Sequence, residues 1–492
     1  MPVTRSARGL RTKIRLLRYH DPVPTYHVEN FGCRATQADG AALDRQFESR
    51  GLIRAAAAQA DLVILNSCTV TRAADQDARA AIRRVQRQNP LARIIVTGCY
   101  AQRAPEEVAA LPGVSVVIGN SHKHQLADLI LPDPLASSRN LKLPAHSDQQ
   151  FLPLTALTEK RDLRTENAIH VSDIFAHTEL LAAPVFESAG REAGLSHEDR
   201  TRPTLKVQDG CDNRCSFCVI PSVRGHSRSL KLSEVIREVN ALVESGYREV
   251  VISGINLGRW GRDLAPSSSF EHLVRTILSD TKLEKLRISS VEPMDWSDEL
   301  IQLVAWSTRI AKHAHVPLQS GSDAVLRRMH RKYRPWHYRE KIEKIRGAMP
   351  TAAIGADVMA GFPGETDAEF DATRKLIEDL PLTYLHVFTY SARPGTPAAA
   401  LQNQLPVHVA RERTRILRDL GAAKKLAFMR SFAGKHLSAI TLNLLRTSAD
   451  GEFTEALTDN YLKLCLKGKH RPNRWIQARI DGAENGVLIS RG

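Results

Sequence analysis

Between residues 24 and 130 the chain repeats one layout: an apolar strand, a cysteine at its end, then an amphipathic helix. PTYHVENFGC ends at Cys33, DLVILNSC at Cys68 and ARIIVTGC at Cys99. The stretches DGAALDRQFESRGL and TRAADQDARAAIRRVQRQNP between them have helical periodicity, and Pro90 stops the second. Alternation of this kind builds a parallel sheet covered by helices. The carboxyl ends of such strands form the ligand crevice. One cysteine at a strand end is ordinary packing. Three at the same point of three successive repeats predict a shared site.

The alternation resumes after residue 203. Strand patterns recur at PTLKVQ, REVVISGIN, LEKLRISS, residues 312–319, AAIGADVMAG and YLHVFTYS, with helical patterns between them. Six repeats predict a partial (βα)6-type barrel, with function at the carboxyl ends of its strands. Residues 131–200 are rich in Pro and Ser and read as a linker or insertion, with short helices near 174–195. A long basic helix is expected over 407–433. The short alternating strands from 434 onward predict a small β-barrel. The domain plan is therefore a basic, disordered arm (1–23), a parallel α/β domain (24–130), the linker (131–200), the barrel (201–433) and the terminal β-barrel (434–492).

Directly after the first barrel strand comes GCDNRCSFCVIP, which sets Cys211, Cys215 and Cys218 in a C-x3-C-x2-C run. Zinc would want a fourth Cys or His at regular spacing, and His226 completes no zinc module. A disulfide plus a free thiol leaves three unexplained. A cubane iron–sulfur cluster on three thiolates, with its fourth iron open, fits best. Cys465, the seventh cysteine, lies in YLKLCLKG and reads as an ordinary core or surface residue. The odd count and wide spacing argue against a disulfide framework and for a reducing, cytoplasmic setting.

C-x3-C-x2-C with an aromatic, Phe217, before the last cysteine resembles the signature of radical S-adenosylmethionine enzymes. In those enzymes the open iron chelates S-adenosylmethionine, and electron transfer releases a deoxyadenosyl radical. DGCDNRCSFCVIPSVRGHSRS, VPLQSGSDAVLRRMHRKY, ADVMAGFPGET and HVFTYSARPGTPAA together resemble the methylthiotransferases, as do NFGC, NSCTVT and TGCYAQ. LQSGSD, IGNSHKHQL and the HVFTYSARPGTPAA stretch look most like the branch that modifies N6-threonylcarbamoyladenosine in tRNA. The resemblance implies two [4Fe-4S] clusters, one on Cys211, Cys215 and Cys218 and a second on Cys33, Cys68 and Cys99 that delivers sulfur. It also implies a terminal TRAM domain that binds RNA, and an electron donor such as a flavodoxin or ferredoxin. The family usually has Asn at the position of Thr36, which keeps a hydroxyl but loses the amide donor.

Phe217, Ser253, Gln319 and Asp357 occupy positions where S-adenosylmethionine would be held, with Asn256, Ser289 and Glu292 as further strand-end groups. Each of these could equally be a cap or a turn. The net charge of +15 favours an anionic partner, with tRNA first. RRMHRKYR (327–334) and KGKHRPNRW (467–475) combine cations with an aromatic, as an anticodon loop would require. No segment is apolar enough to span a bilayer, and the chain is expected to act as a monomer. Two alternatives stay open: a methylthiotransferase for N6-isopentenyladenosine tRNA or a ribosomal-protein aspartate, and a zinc-bound RNA-binding protein without activity.

Overall fold

A computed structural model describes residues 23–131, 168–186, 202–448 and 451–491. The expected basic arm lies outside these, apart from Val23.

The first sheet is parallel throughout. Its order is Ile53–Arg54, Thr25–Asn30, Leu62–Ser67, Arg93–Gly98, Val114–Gly119, Ala168–His170. Leu62–Ser67 is buried along its whole length, because helices cover both faces of a parallel sheet. Its Val63 and Leu65 join one core and its Leu62 and Ile64 the other, as a two-residue period requires. The helices Arg34–Glu48 and Arg72–Gln88 follow the first two cysteines. Thr71 caps the second of these by accepting from the Ala74 N–H.

Six parallel strands form the barrel arc: Pro203–Asp209, Glu249–Gly254, Lys285–Ile288, His313–His315, Ala353–Ala360 and Tyr384–Thr389. Single bridges, Leu286 with Ile310 and Ser290 with His315, join its two halves. A continuous apolar core lies between this arc and its helices, built around Leu205, Val250, Leu286, Val316 and Ile354. The basic helix Val407–Arg430 packs on the last strand, and its Arg418 donates to the Val387 carbonyl.

The described part of the 131–200 segment is more than a linker. Ala168–His170 adds the sixth strand to the first sheet, and Val185–Phe186 pairs antiparallel with the first barrel strand. Only one turn of 3-10 helix, Ile174–Ala176, occurs where short helices were expected, and residues 187–195 lie outside the described set. Three-residue strands that depend on a distant partner carry no periodicity of their own, so composition read them as coil.

The terminal domain is a six-stranded sheet in the order Trp475–Arg479, His436–Ser448, Gly451–Thr458, Lys463–Lys467, Val487–Ser490, Gly482–Glu484. Ala478 on one edge strand and Ala483 on the other pack on a single core with Ala456 and Leu464, so the sheet curls on itself as a small barrel. Cys465 is buried on the opposite side of its strand from Leu464 and Leu466. Among the described residues no helix is long and apolar enough to cross a membrane.

Candidate functional site

Cys33, Cys68 and Cys99 each follow the carboxyl end of their strand, so the parallel sheet delivers all three to one edge. Gly32 is packed directly against Cys68, which brings the first two loops into contact. Cys68 and Cys99 are buried and Cys33 is exposed. Burial pushes the Cys68 thiol up to about 11, and the neighbouring Cys99 and Cys33 add to the rise. The Asn120 side-chain amide donates to the Cys99 sulfur at 3.5 Å. The Thr36 hydroxyl lies 3.6 Å from the Cys33 sulfur, so the departure from Asn leaves a polar group beside the thiol.

The second trio sits on the loop after the first barrel strand. Ser216 ties that loop down, with its N–H donating to the Met329 carbonyl and its hydroxyl to the Arg328 carbonyl. Cys211 accepts from the Asn213 N–H at 3.4 Å and the Asn256 amide at 3.6 Å. Cys215 accepts from the buried Arg331 guanidinium at 3.3 Å. Burial pushes the Cys218 thiol up to about 12 and raises Cys211 as well. N–H donors aimed at sulfur, such as these from Arg331 and Asn256, are what tune a cluster held by the thiolates. Neither trio draws its three sulfurs within 4.8 Å of one another. A single zinc ion, with Zn–S bonds of about 2.3 Å, would hold them closer. The donor set and its spread therefore suit a multi-iron cluster better than one ion. One contact links the two loops: Cys99 packs on Val219 and Val223, which follow Cys218.

A cavity of about 540 Å³ lies between the Cys33 loop and the barrel strands, lined among others by Cys33, Ser253, Ser289, His315, Tyr384 and His386. Ser253 and Ser289 are thus in the chamber the sequence pointed to. Asp357 stands behind it, 3.3 Å from His315 Nε2 and 3.4 Å from His386 Nδ1. Burial opposes its charge, but the two imidazoles overcome that and hold the carboxyl well below the usual range. Gln319 has a positive φ of 63° and an Oε1 that is buried without a partner among the described residues. Phe217 is half-buried against the barrel core. Glu292 does not face the chamber; it pairs with Arg331.

The second basic patch is on the surface throughout, and the first only in part, with Arg327, His330 and Lys332 exposed. In the first, Arg327 and Arg334 pair with Asp323, Arg328 with Glu369, and Arg331 with Glu292. Tyr333 is buried, and its hydroxyl donates to the carbonyls of Pro317 and Leu318 at 3.0 and 2.7 Å. It cannot stack on a base. A run of cations beside an aromatic reads the same in sequence whether it is solvated or turned inward, and here the barrel takes Arg331 and Tyr333 inward and leaves Arg327 and Lys332 outside. In the second patch Lys467, Lys469, Arg471 and Arg474 are exposed, and Trp475 is half-buried with Lys285 over its ring.

Sequence reasoning missed a buried charge network behind the first trio, formed by Asp39, Lys123, Lys206, Asp209 and Arg224. It also missed Arg331 as a sulfur partner, and His315 and His386. No spacing signal marks the network, since its members come from both domains. The histidines did carry one: each lies on a barrel strand, two residues from another inward-facing group.

The uncharacterized protein family UPF0004 matches residues 25–119, and the Radical SAM superfamily matches residues 205–377. The chain is 34% identical to the threonylcarbamoyladenosine tRNA methylthiotransferase MtaB of Bacillus subtilis, over 90% of each chain. It is 32% identical to the protein of the same name from Aquifex aeolicus, over 92% of this chain and 99% of that one. It is also 31% identical to the tRNA-2-methylthio-N(6)-dimethylallyladenosine synthase of Novosphingobium aromaticivorans, over 84% of this chain and 85% of that one. Among solved structures, the radical S-adenosylmethionine methyltransferase TsrM of Kitasatospora setae superposes with a TM-score of 0.51 at 16% identity, over 77% of this chain and 75% of that one, a likeness of fold.

Proposed function

The chain belongs to the radical S-adenosylmethionine methylthiotransferases, and from that membership we propose that it converts N6-threonylcarbamoyladenosine beside a tRNA anticodon to its 2-methylthio derivative. Membership in the superfamily brings S-adenosylmethionine and one [4Fe-4S] cluster. We assign that cluster to Cys211, Cys215 and Cys218, and a second one to Cys33, Cys68 and Cys99. The observation that carries the reading is the shared chamber: Cys33 of one trio and the barrel strand ends beside the other line the same cavity.

Bound there, the two clusters and S-adenosylmethionine supply the hydrogen-abstracting radical and the sulfur. The chain's own residues do the rest. Arg331 and Asn256 direct N–H groups at the sulfurs of Cys215 and Cys211. Ser253 and Gln319 stand toward the strand ends, and Asp357 within its strand beside His315 and His386, as the groups that would hold the cofactor, with Phe217 packed on the barrel core. Tyr384 and His386 offer a ring face and a ring nitrogen to a base in the chamber. The exposed cations of 467–474 bind phosphates of the anticodon arm. A one-electron donor such as a flavodoxin or ferredoxin completes the system, with the chain acting as a cytoplasmic monomer.

The test is mass spectrometry of tRNA nucleosides from cells with and without this gene. Loss of the 2-methylthio form of N6-threonylcarbamoyladenosine is expected. An unchanged threonylcarbamoyl pool with loss of the isopentenyl derivative would move the substrate, and an unchanged tRNA pattern would reject the reading.

A further inference from the structure

Behind the first cysteine trio lies a dry knot of charge that joins the two main domains. Asp39, on the helix after Cys33, receives Lys123 at 3.0 Å, Arg224 at 3.0 Å and the Lys206 ammonium. Asp209, at the end of the first barrel strand, receives Lys206 at 2.8 Å and Arg224 at 2.9 Å. All five side chains are at most 7% exposed. The cavity beside them, lined also by His177 and Glu179, is about 20 Å³, room for one water at most. Arg228 adds a further buried guanidinium, spent on the carbonyls of Arg224 and His226.

The knot is not neutral. Three buried cations, Lys123, Lys206 and Arg224, face two buried carboxylates, Asp39 and Asp209, while Arg228 at the edge has Asp263 beside it and the exposed Glu179 on the same cavity wall. Burying an unbalanced set of charges costs several kcal/mol per ion, so a fold that keeps one needs a partner for the excess. The partner side is visible in the contacts. Arg224 donates to the Thr36 hydroxyl at 3.4 Å, and that hydroxyl lies beside the Cys33 sulfur. Asn120 links the Cys99 sulfur to the Val223 carbonyl, next to Arg224. Lys123 also donates to Asn66, two residues before Cys68. A three-thiolate [4Fe-4S] cluster carries about −1 when oxidised and about −2 when reduced, which is opposite in sign to the single excess positive charge it would face.

We propose that this knot is the counter-charge of a cluster held by Cys33, Cys68 and Cys99, that it sets the reduction potential of that cluster, and that Arg224 is the positioning residue through which cluster loading fastens the first domain to the barrel. The proposal rests on the assignment of the second cluster made above. It goes beyond it in giving the cluster's potential and the domain contact a common cause.

The experiment uses full-length protein with Cys211, Cys215 and Cys218 all changed to Ala, so that one cluster remains. Its potential is followed by electron paramagnetic resonance in a dithionite titration. Lys123→Met removes a cation and is expected to lower the potential. Asp39→Asn, nearly isosteric, removes an anion and is expected to raise it. Each should change the oxidised-to-reduced ratio at fixed potential by about tenfold or more, which is 59 mV for a one-electron couple. Lys344→Met, an exposed cation on a distant helix, should change nothing. In parallel, amide exchange over residues 34–48 should slow when the cluster is loaded, and less so in Arg224→Gln. Equal shifts in the same direction for Lys123→Met and Asp39→Asn would overturn the proposal, as would no shift in either, because a purely structural knot has no reason to track the sign of the charge removed. A parent protein that binds no iron would overturn the cluster assignment and the proposal with it. Bound iron with an insensitive potential would overturn the proposal alone.

Discussion

Replacing Gly32 with Ala tests whether the first cysteine trio is a separate functional unit. Gly32 has a φ of 102°, a backbone region that costs a non-glycine residue about 1–3 kcal/mol. A Cβ there would sit against the Cys68 Cβ and 2.7 Å from its sulfur. One of the two loops must give way, and overpacking of that kind costs about 1–3 kcal/mol. The total, about 2–6 kcal/mol, is a large share of the ordinary stability of about 5–15 kcal/mol for a domain. It falls on the loops that set the spacing of Cys33 and Cys68, while the sheet core below is untouched. Gly246→Ala is the control. It carries a φ of 89°, but its new methyl group meets nothing within 4 Å, so it suffers the backbone term alone. The assay is anaerobic iron and sulfide counting, beside S-adenosylmethionine cleavage and tRNA methylthiolation. Gly32→Ala should fall from about eight irons to about four, keep most of its cleavage and lose its methylthio product. Gly246→Ala should keep all three. Full iron and full product in Gly32→Ala would refute the reasoning, and so would a parallel loss of cleavage and product.

Cys215→Ala should abolish S-adenosylmethionine cleavage, whereas Cys68→Ala should spare cleavage and stop sulfur insertion; equal loss of cleavage in both would end the division of labour. Glu249 is fully buried between Arg287 at 2.7 Å and Arg202 at 3.1 Å. Burial opposes its charge, and the two guanidinium groups overcome that, lowering its carboxyl to about 2 from the usual 4.5. A depressed carboxyl contributes stability that is complete above pH 4.5 and lost as the pH falls toward 2, about 3 kcal/mol at 1.36 kcal/mol per unit. Urea melts of Glu249→Gln should show about 3–5 kcal/mol less stability at neutral pH and a shallower acid slope than the parent; parallel curves would contradict the pairing. Changing Lys467, Lys469, Arg471 and Arg474 to Gln should weaken binding of an anticodon stem–loop and lower its salt slope by about one for each phosphate no longer neutralised. The slope should stay unchanged if the loop never meets RNA.

The strand–helix repeats, the position of three cysteines after strand ends and of three more on the loop after the first barrel strand, and the curled terminal sheet were all legible in the sequence, because each rests on local periodicity or on a rule that parallel strands obey wherever they occur. Arg331 and Tyr333 were misread as an RNA surface for the opposite reason. Whether a cation faces water or a buried sulfur depends on which element packs over it, and composition carries no trace of that. The chamber was half visible: strand ends predicted Ser253 and Ser289, but nothing local placed Cys33 on its wall. The charge knot was invisible, since Asp39 and Arg224 lie 185 positions apart and each looks like an ordinary surface residue in its own helix. The sequence by itself therefore determined the class of chemistry and where in the fold its six cysteines lie, because motif spacing and strand periodicity are local. Only the tertiary structure decided what surrounds those cysteines, because a dry, low-dielectric contact between two domains exists only once both have folded and docked.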